Sequence, residues 1–172
     1  MLFRSPSDQN VALTALEATI QIEGPKGKRS IAIHDFYLVP GSTPDRENVL
    51  EPGEIITSVT LPPPVAGANS IYLKLRDRAA YEFALASAAI VMKVSGGKIQ
   101  HIRVALGGVG TKPWRSFEAE KALEGHAPDR AAFVRAAEAA LKDARPASEN
   151  AFKVDLSRRC IVRALTMSTK SA

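Results

Sequence analysis

From Asp8 onward the apolar positions of the chain recur first at helical and then at strand spacing. Val11, Ala12, Ala15 and Leu16 share one face of a short helix, with Asp8 in the N-cap position. Ile20 and Ile22 then alternate with polar neighbours, "EGPKGKRS" reverses the chain, and Ile31 and Ile33 alternate back, which predicts a β-hairpin. The long Pro/Gly/Asp loop "VPGSTPDRENVLEPGE" leads into "EIITSVTLPPP", a strand ended by three prolines. Ile55, Thr57, Val59 and Leu61 fall on one face of that strand, and Ile56, Ser58 and Thr60 on the other. Ile56 is thus a single large apolar residue on the polar face.

The prolines and "VAGANS" mark a boundary near residue 66, dividing the chain into 1–66 and 67–172. Beyond it "SIYLKLRDR" alternates as a strand that turns Ile71, Leu73 and Leu75 inward and sends Tyr72, Lys74 and Arg76 to the opposite face. "EFALASAAIVMKV", the turn "SGGK" and "IQHIRVAL" form a second hairpin, giving three antiparallel strands. The remainder reads as helices. Ser116 caps one that closes at Gly125. Asp129 caps a second with Phe133, Ala136, Ala137, Ala140 and Leu141 on one stripe, and Pro146 stops it. A third runs from about Asp155 to Ser168 with Leu156, Cys160, Ile161, Ala164 and Leu165 inward. A sheet followed by helices is the α+β pattern, with the helical layer on one sheet face.

Between sheet and helices lies "RVALGGVGTKPWR". A phosphate cradle needs several backbone N–H groups converging on one anion, through more glycines at fixed spacing or a Gly-Lys-Ser/Thr ending. Here Gly107, Gly108 and Gly110 are followed by Thr111-Lys112-Pro113, and the proline removes a donor. The glycines read as a hinge between the two layers.

Composition narrows the function classes. The 172 residues are 45% hydrophobic and 24% charged, ordinary for a globular chain, and no apolar stretch approaches the ~20 residues of a membrane span. No charged start with an apolar core and cleavage site is visible, so no signal peptide is expected. The net charge of +5 is scattered, its densest groups being Lys26-Gly27-Lys28-Arg29, Lys74 to Arg78 and Arg158-Arg159. None is interleaved with aromatics as a single-strand-binding face would be, which argues against a nucleic-acid partner. The single cysteine, Cys160, excludes an internal disulfide and sits on an apolar stripe, where a buried inert thiol is expected. His34, His101 and His126 fall in no metal-ligand or triad spacing. Asp77 beside Arg76 and Arg78, and Tyr81-Glu82, read as surface ion pairing rather than catalysis.

Read as strings, "YLKLRDRAAYEFALASAA", "RVALGGVGTKPWRSFEAEKAL" and "NAFKVDLSRRCIVRAL" resemble the C-terminal domain of the flavoprotein (middle) subunit of molybdenum hydroxylases, the xanthine dehydrogenase and carbon monoxide dehydrogenase family. The last two are similar to the bacterial aldehyde-oxidising branch. "SPSDQNVALTALEATIQI" and "LEPGEIITSVTLP" resemble the second part of that subunit's FAD-binding domain. The resemblance begins near Ser5. It implies an α+β architecture in which residues 1–66 are the remainder of an FAD-binding α/β domain and 67–172 the flavoprotein C-terminal domain.

The glycine-rich loops that hold the FAD pyrophosphate in this family, and the cysteines of an extra iron-sulfur cluster in the aldehyde-oxidising branch, lie upstream of "SPSD" and have no match here. Met1 therefore reads as an internal start, and the chain as about half of a subunit. Carried over position by position, the resemblance implies that Asp8 contacts FAD, that Ile56 lines the cofactor, and that Lys74 stands at the flavin. Plain helix capping, a stray exposed apolar residue and a solvated strand lysine are the respective alternatives. "RDRAAYEFALA" corresponds to a loop beside the flavin. Many family members carry an aspartate where Tyr81 or Glu82 falls.

The implied role is electron transfer from [2Fe-2S] clusters of a small subunit through FAD to an acceptor. The molybdenum cofactor of a large subunit would perform the oxidation, in the cytoplasm, or in the periplasm after export with a partner. No side-chain nucleophile is needed for such a role. The rival reading is a structural or subunit-interaction module that does not bind FAD on its own.

Overall fold

The computed structural model describes residues 7–169; Ser5 and Pro6, where the resemblance begins, lie outside the described residues. The first unit opens with α1 (Asp8–Ala15). Ser7, not Asp8, is its N-cap, accepting a hydrogen bond from the Asn10 N–H at 3.3 Å. Both residue types can cap, and capping by Ser7 leaves the Asp8 carboxylate in the first turn, free to reach elsewhere.

Strands β1 (Thr19–Gly24), β2 (Gly27–Ala32) and β3 (Ile55–Thr60) form an antiparallel sheet in the order β2-β1-β3. Ile20 and Ile22 of β1 are buried as their alternation requires, in a small core with Ala18, Ile33 and Phe36. Ile33 does not continue the hairpin. It starts the one-turn helix α2 (Ile33–Phe36), which brings it and Phe36 into that core.

Strand β3 departs from its pattern. Among the described residues neither of its faces is covered, and Ile55, Val59 and Leu61 are exposed like Ile56. The apolar cover of this sheet, from α1 and α2, stands over β1 and β2, so β3 is held through its ladder to β1 and, at its start, by the pairing of Arg29 with Glu54.

The second unit is a four-stranded antiparallel sheet in the order β4-β5-β6-β7, formed by β4 (Asn69–Leu75), β5 (Ala86–Ser95), β6 (Lys98–Gly107) and β7 (Trp114–Arg115). Strands β5 and β6 meet at Gly96-Gly97, both with positive φ, as a two-residue hairpin turn requires. The sheet has one strand more than the alternation predicts because β7, two residues paired with Ala105 and Leu106, is too short to carry a period. Strand β5 also starts at Ala86 rather than near Glu82, which leaves residues 76–85 as a loop.

One sheet face carries Ala86, Ala88, Ile90, Met92, Val104 and Leu106 against the helices α3 (Phe117–Leu123), α4 (Arg130–Leu141) and α5 (Phe152–Ser168). Ser116 and Asp129 cap α3 and α4 as expected, and α5 starts one turn early at the exposed Phe152. Cys160 is buried in this core, and desolvation pushes its thiol up to about 12.

The opposite sheet face is covered as well. Helix α1 packs Val11 and Ala15 on Ala89, Val91 and Ala105. Covering on both faces explains why residues 86–92, all small or apolar, are buried without a break rather than in alternation. The seat of α1 is fixed at its far end by Glu17, whose carboxylate binds Arg103 at 2.6 Å and Arg115 at 3.2 Å.

Candidate functional site

Where the first turn of α1 crosses the end of β4, three side chains meet. On β4, Ile71, Leu73 and Leu75 pack into the helical core, so the strand period turns Tyr72 and Lys74 towards α1. The Tyr72 hydroxyl donates to Asp8 Oδ1 at 2.7 Å, and Lys74 Nζ donates to Asp8 Oδ2 at 2.6 Å. Lys74 also donates to the Glu82 carbonyl oxygen. One ammonium therefore ties β4 to the start of α1 and to the loop before β5.

The electrostatics favour this arrangement. The Asp8 carboxylate sits at the positive end of a helix beside a cation, and the Lys74 side chain is only 19% exposed. Burial, together with the bond to Asp8, holds the Tyr72 phenol well above the usual range, so it stays a neutral donor. An ammonium has three N–H bonds. Two are taken here, and the third has no partner among the described residues.

The loop 76–85 is braced from within. Glu82 Oε2 accepts the backbone N–H groups of Asp77 at 3.1 Å and Arg78 at 2.9 Å, and the Arg78 guanidinium donates to the Tyr81 carbonyl oxygen. The Asp77 ion pairing expected from the sequence is replaced by these main-chain contacts. Tyr81, with φ +58° in the left-handed region, is held fully in solvent at 99% exposure, and Phe83 is also exposed.

The glycines after β6 have a packing reason. A Cβ on Gly107 would stand 2.4 Å from Val11 Cγ2 and 2.5 Å from Ser87 Oγ. One on Gly108, at φ +72°, would stand 2.6 Å from the Ala84 carbonyl oxygen. Helix α1 and the loop before β5 occupy the space that an anion would need, so the pair is the hinge the sequence suggested.

Of the three residues expected at a site, Asp8 and Lys74 come together. Ile56 lies in the other sheet, opposite Ile22, with its side chain exposed. The sequence reading placed Tyr72 on the same face as Lys74 but missed its bond to Asp8. A tyrosine two residues before a lysine on one strand face was the available signal. The Glu82 main-chain contact had none.

The first turn of α1, Lys74 and a loop exposing Tyr81 and Phe83 thus meet at the end of a sheet covered on both faces, in an α+β chain of two antiparallel sheets and a helical layer. The chain belongs to the family of FAD-binding middle subunits of molybdenum hydroxylases. Residues 71–168 match the CO dehydrogenase flavoprotein C-terminal domain, and residues 1–64 match the FAD binding domain in molybdopterin dehydrogenase. The chain is 43% identical over 168 residues to the aldehyde oxidoreductase FAD-binding subunit PaoB of Escherichia coli, covering 97% of this chain and 49% of that protein. It is 39% identical over 119 residues to the glyceraldehyde dehydrogenase medium chain of Sulfolobus acidocaldarius, covering 69% of this chain and 40% of that protein. The fold matches a solved carbon monoxide dehydrogenase from Hydrogenophaga pseudoflava at a TM-score of 0.87 and 30% identity, over 97% of this chain and 57% of that one. The chain spans about half the length of the curated relatives it matches. Among the described residues no helix is long and apolar enough to cross a membrane.

Proposed function

We propose that this chain supplies one wall of an FAD site in the electron-transfer subunit of a molybdenum hydroxylase that oxidises aldehydes. The observation that carries the reading is the Asp8–Lys74 pair, with an ammonium donor to spare beside the exposed loop 76–85. FAD, when bound, supplies a carrier that takes electrons from one-electron centres and passes them on. The chain's own residues hold and orient. Asp8 and the Glu82 carbonyl fix Lys74 Nζ, Tyr72 fixes Asp8, and the third N–H of Lys74 is offered to a flavin oxygen or phosphate. Ile56 adds an apolar surface from the first unit. On this reading residues 1–66 complete an FAD-binding domain and 67–172 form the flavoprotein C-terminal domain. A molybdopterin-binding large subunit and a [2Fe-2S] small subunit are the partners, in the cytoplasm or, if exported together, the periplasm. The aldehyde substrate class is carried over from the two relatives whose names state it.

A second reading has its own support. Among the described residues the one glycine-rich turn near the cluster is filled by protein atoms at Gly107 and Gly108, so no phosphate cradle is available there. The chain on its own would then be a structural and subunit-interaction module that does not bind FAD.

Titration of FAD into the purified chain, followed by flavin fluorescence, separates the two. Saturable quenching, weakened by Lys74→Ala or Asp8→Ala, is expected if the wall binds by itself. Quenching that appears only after a polypeptide matching the upstream half of a relative is added supports the second reading for the isolated chain. No quenching even then would sink the flavoprotein reading.

A further inference from the structure

On the outer side of the helical layer, the face of α5 turned away from the sheet meets the start of α4 in a groove of about 360 Å³. Arg158, Arg159 and Arg163 line it from α5, Arg130 lines it from the first turn of α4, and Val134, Val162 and Thr166 complete the lining. The sequence showed only the Arg158-Arg159 step. Arg130 and Arg163 join it because the two helices pack side by side, a juxtaposition invisible along the chain.

We infer that this groove docks an acidic polypeptide segment, with two or more carboxylates seated on the arginines. The charge is unbalanced. The one carboxylate that reaches the row is Asp155, which binds Arg158 and Arg159 at 2.7 Å each. Among the described residues no carboxylate pairs with Arg130 or Arg163. Asp129, next to Arg130, spends its carboxylate on capping α4 through the Ala132 N–H.

Asp155, one turn before these arginines on α5, shows the pairing they make: Oδ1 accepts from Arg158 and Oδ2 pairs with Arg159, so one carboxylate bridges two guanidinium groups. Arg159 and Arg163 stand one turn apart on α5, about 6 Å along the axis, and Arg130 lines the groove from α4, so the basic residues are spread along two helices. Among the described residues no aromatic side chain lines the groove, which removes the usual means of stacking a base. Val134 and Val162 add a small apolar part to a lining that is otherwise polar. The groove lies across the sheet from the Asp8–Lys74 cluster, so the inference does not depend on the flavin reading.

The test is anisotropy of a fluorescein-labelled peptide of glutamates titrated with the full chain at low salt. The variant pair Arg130→Glu and Arg163→Glu is compared with Lys26→Glu and Lys98→Glu, which change net charge equally on exposed turns of the two hairpins. Saturable binding that the arginine pair weakens about tenfold or more, while the lysine pair leaves it nearly unchanged, is the expected result. Circular dichroism checks folding, and Arg130→Gln with Arg163→Gln provides a gentler version of the same loss. Absence of binding, or equal loss in both pairs, overturns the inference. So does displacement of the peptide by inorganic pyrophosphate at lower concentration, or tighter binding of a thymidine oligonucleotide, either of which would make the groove a phosphate site.

Discussion

Asp8 and Lys74 are 66 residues apart in the chain, yet their carboxylate and ammonium lie 2.6 Å apart, with the Tyr72 hydroxyl on the other carboxylate oxygen. Removing Asp8 strands a largely covered lysine and a half-buried phenol together. We expect Asp8→Ala to cost about 1 to 2 kcal/mol and Tyr72→Phe about 1 kcal/mol, because the second change leaves the Asp8–Lys74 pair intact. Urea unfolding of the single and double variants checks this. The combined loss in Asp8→Ala/Tyr72→Phe should be smaller than the sum, since the two side chains share one bond.

The hinge glycines predict a stability effect without any ligand. Gly108→Ala should destabilise by more than about 2 kcal/mol, from positive φ combined with a clash against the Ala84 carbonyl. Gly107→Ala should also destabilise, because Val11 must move away. Gly110→Ala, whose added carbon would sit 3.5 Å from the Lys112 carbonyl oxygen, should be nearly neutral. Thermal unfolding of the three variants reads the order directly, and a neutral Gly108→Ala would refute the packing account.

The first unit has an acid-sensitive latch. Arg29 holds Glu54 by two hydrogen bonds of 2.8 and 2.7 Å, and with the Glu51 N–H lowers its carboxyl from 4.5 to about 2. Because the folded carboxylate titrates lower than the unfolded one, the latch contributes fully above pH 4.5 and is lost as pH falls towards 2. Glu54→Gln should therefore be less stable than the parent at neutral pH, and the difference should shrink across that window. Unfolding midpoints measured from pH 7 to pH 2 test it.

Cys160 should resist modification. With its thiol buried and pushed up to about 12, native protein should react negligibly with a maleimide at pH 7. Full labelling in denaturant, followed by mass spectrometry, supplies the reference. Rapid native labelling would mean that α5 opens readily from the sheet.

Residues acting on near neighbours were legible. Ser116 and Asp129 cap their helices, Gly96-Gly97 turn the hairpin, and the alternation of β4 assigns Leu73 inward and Lys74 outward. Errors arose where two adjacent residues could serve one role or where a pattern was too short to have a period. Ser7 took the cap from Asp8, Ile33 turned from strand to helix, and the two residues of β7 carried no signal. The alternation of β3 was real, but it reports a capacity for burial and not what covers the strand.

The sequence by itself determined the types of the longer elements, the family resemblance, and the candidacy of Asp8, Ile56 and Lys74. Capping, turn chemistry and hydrophobic period act within a few residues, so one chain of letters contains them. Only the tertiary structure decided that Asp8 reaches Lys74 and Tyr72 while Ile56 stands in another sheet, that α1 covers the second face of the β4–β7 sheet, and that Arg130 joins the arginines of α5. Those relationships depend on how helices and sheets pack over tens of residues, where the geometry of the whole core, and no local preference, sets which side chains meet.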